Sequence, residues 1–217
     1  MTVPATLVSE RSERRRREVC DAARRVIARK GLEVTTMRDV SREGGFTTGV
    51  LTHYFPDKQA VIQGAFAAAS DDWIAEVRDR LARAGSPEDQ LVTLVRAALP
   101  ADDRRQAEWR LWSEMWTYAG RDPGFAAQLV ATDAVWEREI ERVLLRAQTA
   151  GVIADVDARV EAAVLARLID GLGLRAWLSG RWEDARRTLV QHLATIGVGT
   201  SLQERMLQPC GDEEGDP

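Results

Sequence analysis

The stretch Thr35-Thr36-Met37-Arg38-Asp39-Val40-Ser41-Arg42-Glu43-Gly44-Gly45-Phe46-Thr47-Thr48-Gly49-Val50-Leu51-Thr52-His53-Tyr54-Phe55-Pro56-Asp57-Lys58 decides the fold. Thr36 to Asp39 has capping-box form, with Asp in place of Glu, and opens a short helix that stops at Gly44-Gly45. Thr47 caps a second short helix reaching about Tyr54, and Pro56-Asp57 breaks it. Two short helices joined by a three- or four-residue turn containing glycine make a helix-turn-helix, whose second helix enters the major groove of DNA. The residue types suit that task. Thr36, at a helix N-terminus, can offer its hydroxyl and backbone N–H groups to a phosphate. Thr47 and Thr48 begin the reading helix, and Gly49 has no side chain to hold the backbone off a duplex. Val50, Thr52 and His53 are expected to face outward, Leu51 and Phe55 inward. Tyr54 carries a hydroxyl suited to a phosphate. Lys58 is one of only two lysines in a chain with 28 arginines, and a compact point charge there fits a phosphate beside a helix start. Spacing alone also permits a plain helical hairpin that uses its threonines as caps, with His53 a surface residue.

Outward from this segment the pattern stays helical. Alternating β-branched runs are missing, while Ala, Leu, Arg and Glu recur at helical spacing. A first helix is expected from about Glu13 to Arg29, with Val19, Ala22, Ala23, Val26 and Ile27 on one face. A fourth helix runs from Asp57 to about Arg83, and Ser86-Pro87 opens a fifth. A tryptophan-rich helix ends near Gly120, Asp122-Pro123 opens another that stops at Gly151, and two more cover Asp157 to Ser179 and Glu183 to Ile196. The tail from Gln203, ending Cys-Gly-Asp-Glu-Glu-Gly-Asp-Pro, reads as acidic and disordered. The expected fold class is all-α with about nine helices. Residues 11–58 would be a three-helix DNA-binding domain, 59–200 a ligand-binding and dimerisation domain, and 201–217 the tail.

Charge supports the division. The whole chain carries −4, but its first 58 residues hold 12 Lys and Arg against 8 Asp and Glu. A basic first quarter on an acidic protein suggests that this quarter alone meets a polyanion; the alternative is a solvated Arg-rich helix. The run Arg14 to Arg17 is read at a helix start, where its charges oppose the helix dipole and favour fraying unless phosphate is near.

The segments Thr35 to Val40 and Gly45 to Lys58 closely resemble the DNA-binding signature of TetR-family transcriptional repressors, within a match from Arg11 to Lys58. The run Thr52-His53-Tyr54-Phe55 looks most like the Ser-His-Tyr-Phe version of BetI-type members. That resemblance implies phosphate contacts from Thr36, Thr47, Tyr54 and Lys58, and base-edge contacts from Thr48, Gly49, Thr52 and His53. Phe46 departs from a usual smaller aliphatic, which should alter local packing only. Thr52 replaces a common Tyr, which puts one family contact in question.

Seven tryptophans are the second signal, three of them at Trp109, Trp112 and Trp116, on one helix face by their spacing. Trp136, Trp177 and Trp182 come from later helices. Such rings either fill a core or line a pocket where a cation is held by cation–π attraction, with Glu108, Glu114 or Asp170 as a balancing carboxylate. Asp170 lies in a mostly apolar helix and needs a partner: Arg167 or Arg175 if it is structural, a ligand if it is not. Trp112-(x3)-Trp116-(x6)-Pro123 and Ile169-Asp170-Gly171-Leu172-(x)-Leu174-Arg175 are similar to the C-terminal domain of BetI-type regulators. The resemblance implies an effector pocket formed by Trp109, Trp112, Trp116, Trp136, Asp170 and Trp177, without naming the effector. Ala163, Ala166, Ile169, Leu172 and Gly173, with Leu189, Val190, Leu193 and Ile196, suit the helix-pair contact of a homodimer.

Other function classes find little support. Two histidines, no Cys/His pair, no metal-ligand spacing and no Gly-rich phosphate loop leave an enzyme without machinery. Cys20 and Cys210 form no disulfide framework, and no apolar run is long enough for a membrane span. The expected protein is a cytoplasmic homodimer that needs neither metal nor cofactor, binds a palindromic double-stranded operator and answers to a small-molecule effector. A helical adaptor using a Trp-rich surface for protein contacts is the alternative.

Overall fold

A computed structural model describes residues 5–100 and 103–208. Among them the chain forms ten α-helices and no strand: α1 Ala5–Lys30, α2 Met37–Gly44, α3 Thr48–Tyr54, α4 Lys58–Arg83, α5 Pro87–Ala98, α6 Asp103–Ala119, α7 Pro123–Thr149, α8 Ala158–Ser179, α9 Trp182–Thr195 and α10 Thr200–Leu207. Most boundaries sit where cap chemistry puts them. Ser86 accepts from the Asp89 N–H with Pro87 at the first helical position, and Asp157 accepts from the Arg159 and Val160 N–H groups. None of these helices is long and apolar enough to cross a membrane.

The chain divides into two compact units. One comprises Met1–Trp73 and Glu114–Phe125, the other Ile74–Ser113 and Ala126–Pro217. The division falls inside α4, α6 and α7, whereas the sequence suggested a boundary after Lys58. Packing explains the difference: Val61, Ile62, Ala65 and Phe66 of α4 are buried. Phe66 meets Phe125 at 5.1 Å between ring centroids, and Tyr118 meets Phe125 at 5.2 Å. The core of the first unit also takes the expected face of α1, Val19, Ala22, Ala23, Val26 and Ile27, all fully buried. Leu51 and Phe55 join them.

In the second unit α8 and α9 pack on each other, and α10 lies against α5 and α9. Three expectations change here. The segment expected to be tail is helical through Leu207, because Leu202 and Met206 are apolar at i, i+4 and both are buried. Arg96 further donates to the Arg205 carbonyl at 3.0 Å, and Arg205 pairs with Asp89. Cys210 and the acidic end lie outside the described residues. Second, α1 begins at Ala5, so Arg14–Arg17 is helix interior rather than helix start. Third, Ala166, Ile169, Gly173, Leu189, Val190, Leu193 and Ile196, expected at an interface between copies, are buried within the chain itself. Helical periodicity turns a different stripe of α8 outward: Val160 (58% exposed), Val164 (42%) and Leu178 (70%), with exposed Gly171 midway between the last two.

Candidate functional site

The helix-turn-helix is built by its caps. Thr36 closes a full capping box: its Oγ1 accepts from the Asp39 N–H at 3.2 Å, and its own N–H donates to Asp39 Oδ2 at 3.0 Å. The Thr36 hydroxyl also donates to Asp39 Oδ2 at 2.6 Å, and Lys30 Nζ lies 2.7 Å from the same oxygen. Hydrogen bonds from Lys30 and then Thr36 hold the Asp39 carboxyl far below its ordinary range. The donors that Thr36 was expected to offer a phosphate are therefore committed within the chain.

Gly45 turns α2 into α3 at φ 66°, a left-handed conformation that favours glycine. Its N–H donates to Arg42 O, and the Phe46 N–H to Ser41 O at 2.9 Å, the paired bonds of a Schellman closure. Phe46 does alter packing, and one neighbour is bound to it. A Cβ on Gly44 would fall 2.0 Å from the Phe46 ring, while the Arg15 guanidinium lies 4.6 Å from that ring's centroid. Thr47 then caps α3 by accepting from the Val50 N–H at 3.3 Å, an acceptor role that leaves its O–H hydrogen available.

On α3 the sides separate as the periodicity requires. Leu51 is fully buried and Phe55 nearly so; Thr47, Thr48, Gly49, Thr52 and His53 are exposed. Positions 48, 49, 52 and 53 form one continuous helical face. Val50, expected outside, is half-buried. The Thr52 hydroxyl donates back to Thr48 O and Gly49 O, each at 3.2 Å, so its hydrogen is committed within the helix. The Tyr54 ring stands edge-on to His53 at 4.8 Å. Lys58 Nζ donates to the Glu33 carbonyl at 2.9 Å, which stations the ammonium beside the start of α4.

Much of the basic quarter serves the fold. Arg17 and Arg24 converge on Asp72, and Arg25 and Arg29 on Glu43. Arg15 pairs with Glu18, and Arg16 lies 5.2 Å over the Phe55 ring. The run Arg14–Arg17 is thus largely occupied by packing.

The expected effector residues separate. Trp109 and Trp112 belong to the second unit with Trp136 and Trp177; Trp116 belongs to the first. Trp109 is buried over Gly173, where a Cβ would fall 1.9 Å from the ring, and it meets Trp182 at 5.8 Å. Trp136 is buried, while Trp112, Trp116 and Trp177 are half-buried. Burial of Trp109, Trp136 and Trp182 removes them from any exposed aromatic docking surface. Glu114 lies beside Gly31 in the first unit, and the Glu108 side chain is outside the described residues.

Asp170 does not gain the arginine partner that a structural role required. Arg167 donates instead to Glu137 at 2.6 Å and to Ala163 O at 2.8 Å, and Arg175 is exposed. The Asp170 carboxyl is raised to about 7, chiefly by burial, with Asp133 and Glu137 adding to the rise against the pull of Arg167. Burial and Glu137 likewise raise Asp133. Three carboxylates thus share one guanidinium across α7 and α8. Asp133 and Glu137 went unread in the sequence, although their i, i+4 spacing around Trp136 puts both on one face.

The comparisons with known proteins agree with this architecture. Residues 19–65 match bacterial regulatory proteins of the tetR family, and residues 87–198 match the BetI-type transcriptional repressor C-terminal family. The chain is 32% identical over 178 residues to the HTH-type transcriptional regulator BetI of Burkholderia cenocepacia, covering 82% of this chain and 89% of that protein. Among solved structures it is similar to a putative transcriptional regulator from Saccharomonospora viridis in complex with choline, with 26% identity, a TM-score of 0.73, and 82% and 95% of the two chains covered. A TetR regulator from Haloarcula marismortui shares the fold, with a TM-score of 0.77 at 20% identity over 85% and 98% of the chains. The chain belongs to the TetR family of DNA-binding transcriptional repressors, with a C-terminal domain of the BetI type, and is a transcriptional regulator rather than an enzyme.

Proposed function

We propose that two copies of the chain bind a palindromic operator in the cytoplasm and repress transcription from it, with a small cationic effector setting the affinity. The observation that carries this reading is the exposed face of α3: Thr48, Gly49, Thr52 and His53 point away from a core sealed by Leu51 and Phe55. These four would lie against base edges in the major groove. Thr47 and Tyr54 would hold phosphates, and Lys58 would exchange its carbonyl partner for one. One short helix makes few base contacts. Two of them, about 34–36 Å apart on a two-fold axis, address one face of a duplex. The outward stripe Val160, Val164, Gly171 and Leu178 is the surface we assign to the partner copy.

The effector would be a small amine held in the second unit by Asp170, Asp133 and Glu137, with Trp109, Trp136 and Trp177 as aromatic neighbours. Choline is the first compound to test, given the choline complex of the similar regulator. Because α4 contributes residues to both units, a shift in α4 would couple effector to reading head. A tenfold change in operator affinity needs only about 1.4 kcal/mol of differential binding. The test is a mobility-shift assay with palindromic fragments from the region upstream of the chain's own gene. Specific retardation is expected, with Thr48→Arg or His53→Ala changing base preference and Lys58→Ala weakening all sites alike. Absence of specific retardation on every such fragment removes the proposal.

A further inference from the structure

Most cations of the first 58 residues are already partnered in the folded unit, which narrows the search for those that meet DNA. Among the described residues, Arg11, Arg14, Arg38 and Arg42 are exposed with no ion pair or hydrogen bond from the side chain. Arg11 and Arg14 sit early in α1. Arg38 and Arg42 share the exposed side of α2, one turn apart, and α2 is tied to the reading helix by the Gly45 closure.

Their placement is unfavourable for the isolated protein in two ways. Arg38 stands in the first turn of α2, where a cation opposes the helix dipole. Arg38 and Arg42 are also like charges at i, i+4, a repulsive spacing on a helix. The acids on the same short helix relieve neither: Asp39 is bound by Lys30 and Thr36, and Glu43 by Arg25 and Arg29. An anion arriving from outside would relieve both. In a helix-turn-helix the first helix crosses the DNA backbone while the second enters the groove.

We infer that Arg38 and Arg42 form a two-point phosphate clamp on α2, beside a Thr36 hydroxyl that is bonded to Asp39. The inference rests on the DNA-reading assignment of α3. Four residues of helix set the two Cα atoms about 6 Å apart along its axis, and long flexible side chains from such positions reach neighbouring phosphates of one strand. Guanidinium groups bind phosphate oxygens through two parallel N–H donors. The clamp fixes register and orientation and leaves the choice of bases to α3.

The test uses the full-length protein and a fluorescein-labelled 30-base-pair duplex of mixed sequence, followed by anisotropy across a salt series. Arg38→Gln and Arg42→Gln are each expected to weaken binding roughly 5- to 10-fold at low salt and to lower the slope of log K against log salt by about one; the double variant lowers it by about two. Arg187→Gln on α9, which also removes one positive charge, should leave the slope as it is. Thermal melts followed by circular dichroism should match wild type for all variants. Unchanged slopes in both α2 variants, with wild type binding normally, overturn the clamp and leave the α3 assignment standing. An equal loss in Arg187→Gln assigns the effect to bulk charge and overturns it too. Failure of the wild-type protein to bind any duplex at low salt removes the α3 assignment and the clamp with it.

Discussion

Thr36 and Asp39 close on each other through three hydrogen bonds, which gives the threonine a part in folding. Thr36→Ala should cost about 1 kcal/mol of stability, measured by denaturant midpoint, while leaving the salt slope of DNA binding unchanged. Asp170 is the opposite case, a residue whose placement costs stability. Its carboxyl is raised to about 7 by burial and then by Asp133, so in the folded state it keeps a proton that the unfolded chain releases near pH 4. Between those values the native state binds more protons, and stability falls as pH rises towards 7 before levelling off. Asp170→Asn removes the ionisation. It should raise the melting temperature at pH 8 by on the order of 5 °C and change it much less at pH 5. A destabilised variant at pH 8 would mean that the carboxylate has a partner after all. Proteins keep such costly groups where a ligand needs them, which is why Asp170 remains at the centre of the effector proposal.

At the scale of elements, α2 and α3 are joined through their turn, where Gly44 and Phe46 pack on each other. Phe46 occupies the space that any Cβ at position 44 would need. Gly44→Ala should therefore destabilise by about 1–3 kcal/mol, and Phe46→Val in the same chain should recover most of the loss. Additive losses in that double-mutant cycle would show that the two sites are independent. The short helices were legible because their determinants are local: a capping box, a left-handed glycine and a second threonine cap. The tenth helix was missed for the complementary reason. Nothing in Thr200–Leu207 announces a helix strongly, and its stability comes from Leu202 and Met206 packing on residues far away in the chain, together with Arg96 and Asp89.

At the scale of the molecule, the interface is where sequence and structure part. Ile169, Leu189, Val190 and Leu193 looked like a surface for a second copy, yet each side chain is spent closing this chain's own core. The stripe left over is Val160, Val164, Gly171 and Leu178. Replacing Val164 and Leu178 together by Arg should give a monomer by light scattering and abolish binding to a palindrome; a dimer that persists would move the contact elsewhere. By itself the sequence determined the all-helical class, the helix boundaries set by caps and glycines, and the exposed face of α3, because each follows from residues within a few positions of one another. Only the tertiary structure decided which cations of the first quarter stay unpaired, which tryptophans are core, that Arg167 goes to Glu137 rather than Asp170, and which face of α8 is left bare. All four depend on which distant side chain reaches a given group first, and periodicity along one helix carries no record of that.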